Sequence, residues 1–186
     1  MAASFHVLTV GYVGERVAST VSVAVDGEQI VIIDPGMVAD PAALLDPLED
    51  LGMAPADVTD VVFSHHHPDH TLNAALFPMA RFHDYWAIYR GDVWDSRPAE
   101  GFQVSPHVRL IETPGHTPQD ITTLIETDAG VLACTHLWWN ESGPAEDPLA
   151  TNAEALHAGR VRVLDLAILI VPGHGRPFQP DQGTPR

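Results

Sequence analysis

The chain has 186 residues, 45% apolar and only 18% charged, which excludes a disordered polymer and fits one domain, residues 1–186, with a full hydrophobic core. Its 25 acidic and 9 basic residues leave a formal charge of −16, which argues against nucleic acid and anionic membranes as partners, since both bind through Lys and Arg. A single cysteine, Cys134, excludes an intrachain disulfide; no apolar run approaches the ~20 residues that span a bilayer, and residues 1–7 lack the basic and long apolar segments of a secretion signal, so the expected location is cytoplasmic.

Residues 5–13, 18–26 and 29–34 read as strands rich in Val and Ile, with Asp26-Gly27 as the tight turn between the second and third. The third ends in Asp34-Pro35-Gly36, which leaves Asp34 at the strand tip. A helix is predicted to start at Asp40 with Pro41 at its first position, to carry Leu44, Leu45, Leu48 and Leu51 on one face, to kink at Pro47 and to stop at Gly52. A strand over 58–63 delivers the run His65-His66-His67-Pro68-Asp69-His70, and a short helix over 70–76 follows. Residues 80–83 read as a short strand, 84–90 as a short helix or turn, and 91–106 as a loop. A strand over 108–112 ends at Thr113-Pro114-Gly115-His116. Residues 121–127 and 130–135 form a second hairpin turning at 128–130. Asp147-Pro148 is expected to cap a helix reaching to about 160, and a last strand, 166–171, ends at Pro172-Gly173-His174-Gly175. Strand-rich halves interleaved with helices imply two packed sheets covered by helices.

Chemistry concentrates at strand ends. His65, His67, Asp69 and His70 crowd one loop, and His116, His136 and His174 each follow another strand. Such crowding is costly unless a divalent cation shares the lone pairs. Zinc fits these donors best, as one ion or two, with iron or manganese as alternatives. A purely structural zinc site is usually Cys-rich and closed; this set needs no thiolate and has more donors than one ion requires, so it reads as an open, water-holding site.

Several neighbours carry two readings. Asp34 either fixes a ligand histidine from behind or simply forms the turn before Pro35. His83, at a strand end, either supports the pocket or is an ordinary half-exposed histidine. Trp138, Trp139 and Tyr85 form either an apolar pocket wall, core packing or a homodimer contact. Cys134 shares a strand face with His136, as a soft ligand or a small core residue. His66, between His65 and His67, reads as a solvated or supporting side chain.

The motif His65-x-His67-x-Asp69-His70, followed by Thr113-Pro114-Gly115-His116-Thr117 and Val171-Pro172-Gly173-His174-Gly175, resembles the metallo-β-lactamase-fold hydrolases along nearly the whole chain. Within them, His83-Asp84 and the closing Pro-Gly-His-Gly-x-Pro-Phe are similar to the group of metallo-β-lactamase domain-containing protein 1 and its bacterial relatives. The resemblance implies a four-layer αββα sandwich with a metal site along one edge of the sheets. It implies a first ion on His65, His67 and His116 and a second on Asp69, His70 and His174. The aspartate that bridges both ions in the family is replaced here: the strand reads Cys134-Thr135-His136. A neutral imidazole offers one lone pair and cannot bridge as a carboxylate does, so one tightly held ion is expected and a second is left open.

The implied mechanism is hydrolysis by metal-activated water, whose pKa falls from 15.7 to about 7 on a metal. Asp69 binds metal and orients the nucleophile or handles its proton. A small ester, thioester, lactone or amide is the expected substrate. A ribonuclease or phosphodiesterase and a metal-binding or sensing protein with weak turnover remain as alternatives.

Overall fold

Side-chain alternation decides which layer each strand feeds in the computed structural model, which describes residues 2–186; of the N-terminal stretch read above, Met1 lies outside it. The first sheet runs in chain order through β1 (Ser4–Thr9), β2 (Val21–Asp26), β3 (Gln29–Ile33), β4 (Asp60–Val62), β5 (Arg81–His83), β6 (Ala87–Arg90) and β7 (Val93–Ser96). The second contains β8 (Gln103–Ser105), β9 (Val108–Glu112), β10 (Ile121–Thr127), β11 (Gly130–Thr135) and β12 (Leu169–Pro172), in the order β12-β11-β10-β9-β8. Ala24, Val31, Ile33 and Val62 of the first sheet meet Val108, Leu110, Ile125, Leu132 and Val171 of the second in one inner core. The alternate residues Val23, Ile32 and Val61 face outward and bury Leu44 and Leu48 of α1 (Ala42–Asp50). Ile111, Leu124, Ala133 and Ile170 do the same for Leu156 and Val163 of α3 (Ala153–Leu166). The period of two therefore builds an αββα sandwich, as expected. Among the described residues no helix is long and apolar enough to cross a membrane.

Three pairs of neighbouring strands are parallel: β3 with β4, β4 with β5, and β11 with β12. Each needs a crossover, supplied by α1, by α2 (Pro68–Thr71) with the following 3-10 turn Leu72–Leu76, and by α3. The crossovers send the C-terminal ends of β3, β4, β11 and β12 to one edge, and β9, which runs alongside β10 in the opposite sense, joins them.

Several boundaries differ from the sequence reading. Residues 84–90 and 91–106 contain β6, β7 and β8 rather than a helix and a loop. The β6–β7 hairpin is held by pairing (Tyr89 with Trp94, rings 5.0 Å apart), not by buried alternation, so its strand signal is weak. The late helix is capped by Asn152, whose side chain accepts from the Ala155 N–H at 3.0 Å, not by Asp147. That helix extends through Leu166, so the last strand starts at Leu169. In α1, Leu51 is exposed and only Leu44 and Leu48 are buried. Pro47 has no N–H for the Ala43 carbonyl; Thr9 Oγ1 donates to that carbonyl instead, at 3.1 Å, and the helix runs on through the proline.

Candidate metal centre

Each strand end contributes one piece. Asp34 turns the chain after β3 with φ 51°, a left-handed backbone that aspartate tolerates better than most residues. The histidine loop follows β4. Gly115 lets the loop after β9 touch α3: a Cβ there would lie 2.5 Å from Leu156 Cα. His116 follows it. His136 directly follows β11, and His174 lies two residues past β12. Segment 18–20 ties these loops together: Ser19 N donates to the Asp69 carbonyl (3.2 Å), Thr20 N to the Gly173 carbonyl (2.7 Å) and Thr20 Oγ1 to the Gly175 carbonyl (2.8 Å).

Four histidines are anchored through Nδ1. His70 Nδ1 donates to Asp34 Oδ2 at 2.7 Å. The same oxygen accepts from Ser64 Oγ at 2.7 Å, so the serine oxygen is free to accept from His65 Nδ1 at 3.0 Å. His116 Nδ1 donates to Asp147 Oδ2 at 2.7 Å, and His174 Nδ1 to the Ala18 carbonyl at 3.0 Å. Anchoring a proton on Nδ1 leaves a lone pair on Nε2, the tautomer a cation requires. His67 presents the opposite nitrogen: its Nδ1 lies 3.2 Å from His116 Nε2. Asp69 Oδ2 sits 3.4 Å from His70 Nε2 and 3.6 Å from His174 Nε2.

His65, His70, His116, His136 and His174 are buried, whereas His67 is exposed and Asp69 half-buried. The centre therefore opens to solvent on the His67–Asp69 side. Burial, reinforced by the surrounding imidazoles, holds His65 and His136 well below the usual histidine range. Burial also lowers His67 and His174; Asp69 opposes the shift at both, and the Ala18 carbonyl does so at His174. Buried, unpartnered nitrogens at His65 Nε2, His70 Nε2 and His136 Nδ1 are expensive unless another group engages them. His65, His116 and His136, and separately His70, His136 and His174, place donor atoms within 4.8 Å of one another. The donor set fits a divalent cation held by nitrogen and one carboxylate.

The seven residues expected to bind metal are thus brought together, and Asp34 bonds one of their histidines, His70. Others fall elsewhere. His83 is buried but points between the sheets, where its Nε2 bonds Asp60 Oδ1 at 2.7 Å; strand alternation turns it away from the histidine loop. Its neighbour Asp84 makes that contact, to His66 Nε2 at 3.2 Å. Trp138 is core rather than pocket wall: it is fully buried, with Nε1 donating to the Pro185 carbonyl at 2.8 Å. Tyr85 packs on the inner core and donates to Glu112 Oε2 at 2.8 Å. Trp139 is half-buried and lies beside the centre, its Nε1 donating to Asp147 Oδ2 at 3.1 Å. Cys134 belongs to the inner core. Sequence reasoning missed Ser64, Asp147 and the Ala18 carbonyl. Ser64 precedes the motif directly, but a carbonyl anchor leaves no trace in residue type.

Comparison with known proteins agrees with this geometry. Residues 14–175 match the family model described as the metallo-beta-lactamase superfamily. The chain is 33% identical to metallo-beta-lactamase domain-containing protein 1 of Xenopus laevis over 95% of its own length and 81% of the relative's. Its fold is similar to that of a metallo-beta-lactamase-type protein from Thermotoga maritima (TM-score 0.76, 22% identity, covering 97% of this chain and 100% of that one). It is also similar to an N-acyl homoserine lactone hydrolase solved with its product at the catalytic metal center (TM-score 0.67, 16% identity, covering 93% and 92%).

Proposed function

Because the chain belongs to the metallo-beta-lactamase superfamily, most of whose members are metal-dependent hydrolases, we propose that it is a zinc-dependent hydrolase of a small ester, thioester, lactone or amide. The observation that carries this reading is the set of four histidines tied back through Nδ1, with His67 and Asp69 at an open mouth. A centre meant only to staple the fold would gain nothing from that opening.

His65, His67 and His116 would hold one cation, and Asp69, His70 and His174 stand ready on the other side, with His136 between them. A divalent cation bound there supplies Lewis-acid activation of water and of the scissile group. Asp34, Ser64 and Asp147 keep the imidazoles in the correct tautomer and orientation. Asp69, half-buried at the mouth, takes the proton of the attacking water on a carboxylate oxygen and returns it to the leaving group. Trp139 is tied to the centre through Asp147 and through its carbonyl, which accepts from His174 N. The −16 charge supports a neutral or cationic small substrate over a polyanion.

The test is hydrolysis by zinc-loaded protein of a panel of esters, thioesters, lactones and amides, with a labelled RNA alongside. Turnover of at least one small substrate, abolished by His67→Ala and by Asp69→Ala, is expected. Cleavage of RNA alone, or panel activity that survives both substitutions, would sink the reading.

A further inference from the structure

His136 differs from the four anchored histidines of the centre. Those at 65, 70, 116 and 174 are fixed through Nδ1 by Ser64, Asp34, Asp147 and the Ala18 carbonyl. His136 Nδ1 is buried with no partner. That edge of the ring lies against Gly173, where a Cβ would sit 2.0 Å from Nδ1. Yet the His136 ring stands at the middle of the group, its centroid 4.2 Å from that of His116, 4.5 Å from His65, 4.8 Å from His70 and 5.0 Å from His174. It alone belongs to both clusters that place donor atoms together, His65–His116–His136 and His70–His136–His174.

We infer that His136 is a shared, exchangeable ligand that completes one cluster or the other, so that the centre of this chain holds a single cation. The inference rests on the metal-centre reading above. With its Nδ1 edge against Gly173, the ring offers one nitrogen to the centre, and one lone pair cannot close both clusters at once. A metal-bound imidazole is normally held by a partner on its other nitrogen; His136 has none, and its ring is placed by packing against Gly173 rather than tied toward one cluster by a hydrogen bond. Charge acts in the same direction. Asp69 is the one carboxylate among the donors, and two dications side by side would face that single negative charge. Gly173 is the positioning residue, since any side chain there occupies the space of the ring.

The experiment is zinc titration into chelator-stripped protein, read by a competing chromophoric chelator and by native mass spectrometry of the folded species. One equivalent per chain is expected. His136→Asp, which restores a carboxylate with two donor oxygens, is expected to take two. Gly173→Ala, which must displace the ring, is expected to bind its zinc at least tenfold more weakly. Two equivalents in the unaltered protein overturn the inference, and so does a single equivalent that neither substitution changes. If a variant fails to fold, the count in the unaltered chain decides alone. One bound zinc with no hydrolysis of the substrate panel sinks the hydrolase reading and leaves this inference standing.

Discussion

Asp147 holds His116 from a loop 31 residues further along the chain: its Oδ2 lies 2.7 Å from His116 Nδ1 and also accepts from Trp139 Nε1 at 3.1 Å. The carboxylate fixes both the His116 imidazole and the Trp139 indole. Asp147→Ala is expected to weaken zinc binding by about tenfold to a hundredfold, the usual cost of losing such a support. Asp147→Asn, which keeps an acceptor, should lose less. Competition titration against a chromophoric chelator measures both; equal affinity in Asp147→Ala and the unaltered chain would show that the contact does not tune the centre.

Asp34 carries more. One carboxylate accepts from Ser64 N and Ser64 Oγ, each at 2.7 Å, and from His70 Nδ1 at 2.7 Å, and through Ser64 it also fixes His65. Bonds to a charged acceptor are worth about 1.5–3 kcal/mol each in net terms. Asp34→Ala should therefore destabilise the metal-free protein by about 3 kcal/mol or more and weaken zinc binding as well, because two ligand imidazoles lose their tautomer control. Asp34→Gly tests the backbone contribution separately: it relieves the φ of 51° yet removes the same acceptor. If denaturant unfolding shows Asp34→Gly as stable as the unaltered chain, the carboxylate contacts contribute little.

The cluster of donor side chains was legible in the sequence because each is a residue type with few other reasons to stand where it does. His65, His67, Asp69 and His70 lie within six positions, and His116 and His174 follow Pro-Gly turns at strand ends. Their supports were legible only in part. Asp34 marked itself by ending a strand, whereas Asp147-Pro148 looks like a helix cap and the true cap, Asn152, lies five residues on. Aromatic residues misled for a related reason: Trp138 and Trp139 are adjacent, and alternation sends one into the α3 core and leaves the other beside the centre. Short strands such as β7, with every residue exposed, have no buried face to print a period on the sequence.

Arg160 links the α3 core to the loop that carries Asp147. Its guanidinium is buried and donates to the carbonyls of Leu137, Pro144 and Ala145, each at 2.8 Å, with the charge 5.6 Å from the Trp138 ring. Arg160→Leu fills much of the volume but leaves three carbonyls without their donor, that of buried Leu137 among them, at a cost of about 1–3 kcal/mol. Arg160→Lys should recover only part, since one ammonium cannot reproduce a planar fork. Urea unfolding orders the three proteins, and zinc affinity should fall in step as the Asp147 loop loosens. An Arg160→Leu protein with an unchanged urea midpoint would rule out this linking role.

Acid should unfold the metal-free protein in a window set by its buried histidines. Burial, with help from neighbouring imidazoles, holds His65 and His136 well below 6.5, and burial lowers His83 against the upward pull of Asp60. In the unfolded chain all three titrate near 6.5. Below that pH the unfolded chain binds protons that the folded chain refuses. The stability these groups provide is therefore complete above about 6.5 and is lost as pH falls, with a limiting slope of about 1.4 kcal/mol per pH unit for each fully depressed group. Asp120 works the other way: burial, opposed by its bonds from Thr117, raises it to about 6, so the folded chain takes up one proton ahead of the unfolded one between about 6 and 3.8. One raised group against several lowered imidazoles, His67 and His174 among them, leaves a net loss. Chelator-stripped protein should show a urea midpoint that drops between pH 7 and pH 5. Zinc-loaded protein should keep its midpoint further down, because a cation on the same lone pairs competes with protons. A flat profile over that range in the stripped protein would mean that these imidazoles are not held neutral by the fold.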